Sequence, residues 1–320
     1  MRVHFYILII FSLFSFQKRE DKNTSIQYIE GKNWMSFIGD QRPLNFMSIP
    51  GSHDAGALYN YDLPIIGTVT YAQTQNKSIK DQLNFGVRFL DIRCKNDSNG
   101  NFQIFHGSTD QKQTFDSVLN TCKEFLKNNP SETIIMSVRE ENSSSGGDRF
   151  YKDFMAYSNK SEYENLFYLD NYIPTLGEVR GKIVLIRRFY SESKCGINTY
   201  SSAIWPDNAM TSTINSDGVK FYFQDAYTVK SNAEKFQQIF DTNELSKDEK
   251  KLSRDKRMFY FNFTSGQTGS GNKIKNVSNY INPKLIDYYM QSDNKNNFYG
   301  MVITDFMSAD LASVIYMTNF

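Results

Sequence analysis

Two histidines and one arginine are the side chains of this sequence best suited to chemistry. His53 and His106 each follow a short apolar run, in SIPGSHDAG and FQIFHGS, and Arg93 lies between them in the chain. Two imidazoles that titrate near neutrality can share an acid–base reaction, because one removes a proton while the other donates one. A guanidinium can bind a phosphate group bidentately and offset its charge. These residue types indicate phosphodiester cleavage.

Strand-like runs of Val, Ile, Phe and Tyr must position these side chains. The runs are Phe46–Ile49, Val87–Ile92, Phe102–Phe105, Thr133–Val138, Lys182–Ile186, Lys220–Phe223, Met258–Phe263 and Gly300–Ile303. Ser78–Phe85 and Thr114–Asn128 have helical spacing, whereas Phe189–Val219 and Thr264–Tyr299 look loop-rich. Alternating strands and helices favour a parallel sheet, and eight apolar strands predict a single, irregular (β/α)8 TIM-type barrel of the α/β class. A doubly wound open sheet is the alternative.

The placement of polar residues favours the barrel. Several of them lie at or just beyond the C-terminal ends of different runs: His53, Asp91, Arg93, His106, Arg139, Glu140, Arg187, Arg188, Asp225 and Asp305. In a barrel these ends converge on one face, where the active site lies. A turn with a polar tip would explain either histidine segment alone, but two such segments together with Asp91 and Arg93 are more specific.

Composition limits the partners and cofactors of the chain. Of 320 residues 40% are hydrophobic, which supports a large core, and the formal net charge is only +1. Such a charge gives no reason to expect nucleic acid as a partner. The spacing of Cys94, Cys122 and Cys195 matches no zinc motif, so we predict no metal site there.

The N-terminal segment is typical of a secretory signal. Arg2 precedes the apolar run Phe5–Phe16, which is short for a membrane span, and polar residues follow it. We therefore expect a signal peptide over residues 1–18 and a secreted, extracellular protein. An uncleaved membrane anchor, or a buried N-terminal strand or helix, is the alternative. His4 lies inside this segment and is not a candidate for catalysis.

The motifs as a set resemble the catalytic X region of bacterial-type phosphatidylinositol-specific phospholipase C. SIPGSHDAG is followed by TQNKSIKDQLNFGVRFLDIR (residues 74–93) and then by FHG. Further matching segments follow in order: SETIIMSVREE, GKIVLIRRF, IWPDN, FQDAYTV, FNFTSG, YINP and MVITDF. The resemblance covers residues 28–320, which predicts one catalytic barrel over that range.

This resemblance implies roles for five catalytic residues. His53 resembles the general base that deprotonates the inositol 2-hydroxyl, and His106 the general acid that protonates the diacylglycerol oxygen. Arg93 matches the arginine that contacts the phosphate. Asp54 corresponds to the acid that partners the second histidine, and Asp305 to the carboxylate that orients the first. The implied products are diacylglycerol and inositol 1,2-cyclic phosphate, so the resemblance implies a phosphoric diester hydrolase, or phosphorus–oxygen lyase.

Substrate-binding residues are implied in the same way. Arg188, Asp225 and Tyr227 match positions that bind the inositol hydroxyls or stack on the ring, and Asp91 is expected to orient its neighbour Arg93. Arg139 stands where the family usually has lysine, which keeps the charge but changes the geometry. The expected partner is phosphatidylinositol or a glycosylphosphatidylinositol (GPI) anchor.

The resemblance implies a mechanism without cofactor or metal, because Arg93 would occupy the place of a cation. One alternative is a metal-dependent barrel of the glycerophosphodiester phosphodiesterase type, although HDAG replaces the HRG opening of that group. The other is a catalytically inactive module that binds inositol lipids. We expect a monomer in peripheral contact with a membrane, although the loop Thr264–Asn279 lacks the tryptophan with which bacterial members engage lipid. The rim segment Leu63–Ile66 is a second candidate for lipid contact.

Overall fold

The computed structural model describes residues 29–63, 67–69, 71–141, 147–253, 256–269 and 273–320. The strands are β1 (Ser48–Ser52), β2 (Tyr61–Leu63), β3 (Gly67–Val69), β4 (Phe89–Asn96), β5 (Phe102–His106), β6 (Thr109–Thr114), β7 (Ile134–Glu140), β8 (Phe167–Tyr168), β9 (Ile183–Arg188), β10 (Ile197–Asn198), β11 (Met210–Ile214), β12 (Lys220–Gln224), β13 (Phe259–Phe263) and β14 (Gly300–Thr304). The α-helices are α1 (Ile79–Phe85), α2 (Phe115–Asn128), α3 (Arg149–Ser158), α4 (Leu176–Val179), α5 (Asn232–Asp248), α6 (Lys273–Met290) and α7 (Ala309–Tyr316).

A curled sheet forms the centre of the fold. Its neighbouring parallel strands follow the order β10-β9-β7-β4-β1-β14-β13-β12, and β11 continues it antiparallel to β12. Because β1 pairs with both β4 and β14, the first and last parallel strands are neighbours, as in a barrel. Within the described residues no backbone ladder joins β10 to β11, but Asn215 Nδ2 donates to Asn198 O across this seam at 2.9 Å. The fold is the distorted (β/α)8 barrel that the sequence predicts.

Alternate residues along the parallel strands pack into two separate cores. Leu90 and Met136 lie in the core that also contains Leu119 of α2. Phe89 belongs to the other core, where its ring packs against that of Phe261 at 5.8 Å between centroids. Both faces of these strands are therefore buried, which explains why the runs are almost continuously apolar rather than alternating.

The two helices predicted from spacing are present, and side-chain caps fix where they begin. Ser78 accepts a hydrogen bond from Asp81 N at the start of α1, and Thr114 accepts one from Ser117 N at the start of α2. Each cap satisfies an amide that the first helical turn leaves without a partner. α1 ends at Gly86, whose φ of 115° is accessible mainly to glycine. This end directs the chain into β4.

One predicted barrel strand is assigned wrongly by the sequence. The run Phe102–Phe105 forms β5, which pairs antiparallel with β4 and with β6 and does not belong to the parallel array. The reason is the tight turn after β4, where Asp97 accepts hydrogen bonds from Asn99 N and Asn101 N. The turn reverses the chain at once, and the short β10 takes the remaining parallel position.

The interpretation of Thr264–Tyr299 as loop-rich is also wrong, because α6 occupies eighteen of these residues. Its buried residues include Val277, Ile281 and Leu285, which have the spacing of one helical face. Pro283 inside the helix and the polar residues around it obscured that pattern. By contrast, the segment Phe189–Val219 contains only β10 and β11, as expected for a loop-rich stretch.

Two predictions fall on residues that the structure does not describe: the signal peptide over 1–18 and most of the rim segment Leu63–Ile66. Among the described helices, none is both long enough and apolar enough to cross a membrane. All three cysteines are buried and free.

Candidate active site

The C-terminal ends of the parallel strands open into one cleft of about 760 Å³. Eight of the ten residues predicted from the sequence line it: His53, Arg93, His106, Arg139, Arg188, Asp225, Tyr227 and Asp305. The other two, Asp54 and Asp91, are fully buried close behind the cleft and contact Arg93. The structure therefore brings the whole predicted set together.

His53 is fixed at the exit of β1 by both of its ring nitrogens. Nδ1 lies 2.7 Å from Asp305 Oδ1, and Nε2 lies 2.9 Å from Arg93 Nη2. A guanidinium has no acceptor, so Nε2 of neutral His53 must be the accepting nitrogen and Nδ1 must carry the proton. Burial disfavours the imidazolium, but the carboxylate of Asp305 outweighs it and raises the pKa of His53. The pair resembles an oriented general base.

His106 ends β5 and is held through a backbone carbonyl. Its Nδ1 lies 2.7 Å from Ala72 O and 3.5 Å from Asp54 Oδ2. Because a carbonyl only accepts, Nδ1 carries a proton, and Nε2 is the nitrogen left to exchange one with a ligand. The ring centroids of His106 and His53 are 6.4 Å apart. Two imidazoles with opposite duties can therefore act on one phosphodiester group.

Arg93 lies between two buried carboxylates. Its Nη2 donates to Asp91 Oδ2 at 3.1 Å, and its Nε is 3.3 Å from Asp54 Oδ2. Burial favours the neutral form of Asp91, but the charges of Arg93 and Arg188 outweigh it and hold its pKa well below the usual range. Burial raises the pKa of Asp54 despite the opposing charge of Arg93. Asp54 also has a φ of 42°, a conformation that aspartate tolerates better than most residues.

A second wall of the cleft combines charge with an aromatic surface. The guanidinium of Arg188 lies 3.5 Å from the ring centroid of Trp205, whose Nε1 donates to Asp225 Oδ2 at 2.9 Å. The Tyr227 hydroxyl lies 3.0 Å from both carboxylate oxygens of Asp207. Such a mixture of carboxylates, hydroxyls and flat rings suits a polyhydroxylated ring.

Sequence reasoning missed Trp205, Asp207 and Glu141 as cleft residues. The first two lie in the IWPDN motif, which was matched as a segment without a role for its members. Glu141 accepts a hydrogen bond from Gly107 N at 2.8 Å, so it supports the loop that follows His106. It also lies 3.7 Å from Arg139. Their positions could have indicated a place in the cleft. Glu141 directly follows β7, and Trp205 and Asp207 lie in the loop between β10 and β11.

The donor set favours an anion over a metal ion at the centre of the site. In the described ranges, no group of three or more His, Cys, Asp or Glu side chains is arranged to hold a metal. The carboxylates of Asp54 and Asp91 instead face the guanidinium of Arg93, which places a fixed positive charge between them. A phosphate group would find donors there rather than competing carboxylates.

Comparisons with known proteins agree with this geometry. Residues 47–189 match the family described as phosphatidylinositol-specific phospholipase C, X domain. A 1-phosphatidylinositol phosphodiesterase of Staphylococcus aureus is 33% identical over 270 residues, which cover 79% of this chain and 82% of that protein. The solved phosphatidylinositol-specific phospholipase C of Listeria monocytogenes has a TM-score of 0.71 and 26% identity, over 91% of this chain and all of that one.

A solved structure of the Staphylococcus aureus enzyme, concerned with modulation of its membrane binding, has a TM-score of 0.76. It is 28% identical and covers 89% of this chain and 97% of its own. The chain belongs to the phosphatidylinositol-specific phospholipase C family.

Proposed function

We propose that the chain cleaves phosphatidylinositol by intramolecular attack, releasing diacylglycerol and inositol 1,2-cyclic phosphate. The pairing of His53 and His106 carries this proposal. Their ring centroids are 6.4 Å apart, and the Nδ1 atom of each contacts a fixed oxygen. Nε2 of His106 is then the nitrogen left for proton exchange. Nε2 of His53 accepts from Arg93 Nη2 at 2.9 Å and becomes available when the substrate phosphate takes over that donor.

The proposed reaction balances without water. The inositol 2-hydroxyl attacks phosphorus and gives its proton to His53 Nε2. The bond between phosphorus and the diacylglycerol oxygen breaks, and His106 gives a proton to that oxygen. His53 then loses a proton to solvent and His106 regains one. An internal nucleophile held near the phosphorus supplies much of the rate, because no second reactant has to be captured.

Arg93 stabilises the charge that develops on the phosphoryl oxygens, and Asp54 and Asp91 hold its guanidinium in place. Arg139, Arg188, Asp225 and Tyr227 line the remainder of the cleft and would bind the ring hydroxyls. The mechanism needs no metal, since Arg93 supplies the positive charge at the phosphate.

The deciding experiment is turnover of phosphatidylinositol vesicles in EDTA, followed by phosphorus NMR. A cyclic phosphate signal without added metal is the expected result. His53→Ala and His106→Ala should each abolish that signal while the protein stays folded. Turnover only after a divalent cation is added would favour the metal-dependent barrel instead. Lipid binding without turnover would favour the inactive binding module, and either result overturns the proposal.

The proposal also includes the location, the oligomeric state and the lipid substrate of the protein. We expect the chain to be secreted, to act as a monomer and to contact membranes peripherally. Free phosphatidylinositol and GPI anchors share the inositol phosphate that the cleft would bind. Release of a GPI-anchored protein from cells, measured beside vesicle hydrolysis, separates these substrates, and light scattering of the purified protein tests the monomer.

A further inference from the structure

A fully buried lysine lies behind the wall of the cleft that carries Asp225 and Tyr227. Lys235, on α5, has no exposed surface, and its Nζ donates to Gln224 Oε1 at 2.9 Å and to Ala226 O at 2.8 Å. A buried ammonium group is costly unless neighbouring oxygens and charges compensate for lost water. Burial lowers the pKa of Lys235 to about 7. The proton transfers proposed above do not use this residue.

The bond from Lys235 Nζ to Ala226 O fixes a short piece of backbone. Ala226 lies between Asp225 and Tyr227, both of which line the cleft. Its amide also donates to Gln224 Oε1 at 3.2 Å, the same oxygen that accepts from Lys235. The segment that presents these two side chains is thus tied to α5 through its middle residue.

The bond from Lys235 Nζ to Gln224 Oε1 extends the tie to the neighbouring strand. Gln224 Nε2 donates to Phe263 O at 2.8 Å and to Asn262 Oδ1 at 3.0 Å, so the ends of β12 and β13 share one buried network with Lys235. Gly266, in the cleft loop after β13, passes close by, since a Cβ there would lie 3.7 Å from the Lys235 chain.

The charge of Lys235 also acts on two carboxylates that line the cleft. The carboxylates of Asp225 and Asp305 both favour its protonated form. The attraction is mutual, so the ammonium is a buried counter-charge for two acidic side chains of the site. Asp225 Oδ2 accepts a hydrogen bond from Trp205 Nε1, and Asp305 Oδ1 lies 2.7 Å from His53 Nδ1.

We propose that Lys235 is a positioning residue for headgroup recognition: it holds Asp225 and Tyr227 where they bind the hydroxyls of a polyhydroxylated ring. It acts through the bond to Ala226 O and the shared network with Gln224. This inference rests on the proposed function, because the ring is that of the inositol headgroup.

Lys235→Met tests the inference, since methionine has similar length but no donor. The Michaelis constant for phosphatidylinositol in detergent micelles and the inhibition constant of free myo-inositol should each rise about tenfold. In contrast, kcat should stay within about twofold of the parent value, because the hydrogen bonds that hold His53 and His106 do not involve Lys235. Lys235→Gln, which keeps an amide donor, should give a smaller rise and replaces the methionine variant if that one does not fold.

Lys247→Met is the matched control on the same helix. Lys247 Nζ also has two oxygen partners, Glu244 Oε1 at 3.0 Å and Asn294 Oδ1 at 2.9 Å, but neither partner lines the cleft. Its replacement should lower the melting temperature without changing either constant. A folded Lys235 variant with parental constants, or with a loss confined to kcat, overturns the inference. Failure of the parent protein to cleave phosphatidylinositol would instead refute the proposed function, and myo-inositol binding would still test Lys235.

Discussion

Arg93 donates a hydrogen bond from Nη2 to Nε2 of His53 at 2.9 Å, and so occupies the lone pair through which that imidazole would accept a proton. A phosphate group that enters the cleft competes for the same N–H donors. In the proposed mechanism, substrate binding and release of the base are therefore coupled through one guanidinium.

Replacement of Arg93 by lysine should lower kcat/KM by roughly 100-fold or more. Lysine keeps the charge, but it cannot bind a phosphate bidentately while contacting both Asp54 and Asp91. Hydrolysis of phosphatidylinositol vesicles followed by phosphorus NMR measures the loss. Arg180→Lys is a suitable control, because Arg180 pairs with Asp40 at 2.7 Å and should leave kcat/KM unchanged. Equal losses in both variants would contradict the role of Arg93.

Asp305→Asn should move the acidic limb of the kcat/KM profile to lower pH. His53 must be neutral to accept a proton, so activity is lost as the pH falls through its pKa. Burial lowers that pKa, and the Asp305 carboxylate raises it by more. Without the carboxylate the pKa falls and the limb follows it downward. We also expect kcat to fall by about 100-fold or more, since asparagine does not secure the Nδ1–H tautomer. An unmoved or upward-shifted limb would show that Asp305 does not control the base.

Trp205→Phe should raise KM about tenfold while leaving kcat nearly constant. Phenylalanine retains a ring beneath Arg188 but loses the hydrogen bond to Asp225. Trp34→Phe is the comparison, because Trp34 Nε1 donates to Gly86 O at 2.9 Å in a fully buried position. The comparison variant should lose stability and keep its KM. Steady-state kinetics measure KM and thermal melting measures stability in both variants. A parental KM in folded Trp205→Phe would contradict this role of Trp205.

Ser201→Gly should stabilise the fold by about 1 kcal/mol. Glycine relieves the backbone strain of the folded state, and this gain exceeds the cost of the greater conformational freedom of the unfolded chain. Ser201 has a φ of 127°, and its carbonyl accepts from Ile204 N and Trp205 N. Ser202 is not among the residues with positive φ, so Ser202→Gly should destabilise slightly. Urea denaturation of the two variants would refute this account if their effects had the same sign.

The gathering of the catalytic residues could be predicted because strand ends are visible in sequence. His53, Arg93 and Asp305 each belong to the C-terminal part of a parallel strand or to the residue after it, and a barrel brings those ends together. The run Phe102–Phe105 was as apolar as the true barrel strands. Only the turn at Asp97 determines that it pairs antiparallel instead.

Other contacts left little or no trace in the sequence. The carbonyl of Ala72, which holds His106, is a backbone acceptor, and every residue carries one. Trp205 was not singled out because, among so many aromatic residues, a ring is ordinarily read as core. Its stacking under Arg188 depends on the turn that begins at Ser201, whose backbone conformation is unusual for serine.

The residues proposed for proton transfer differ from Trp205 and Asp207 in how they are attached to the sheet, because only the latter two lie in the segment that crosses the seam between β10 and β11. His53, His106 and Arg93 lie on, or just after, strands that hydrogen-bond on both sides, so the sheet around β4 sets their relative positions. Trp205 and Asp207 come from the segment that crosses the seam, which no ladder within the described chain binds. Substitutions there can alter which ring is accepted while the proton-transfer geometry remains intact. The gap in the barrel wall thus gives the enzyme a region in which specificity can change independently of its chemistry.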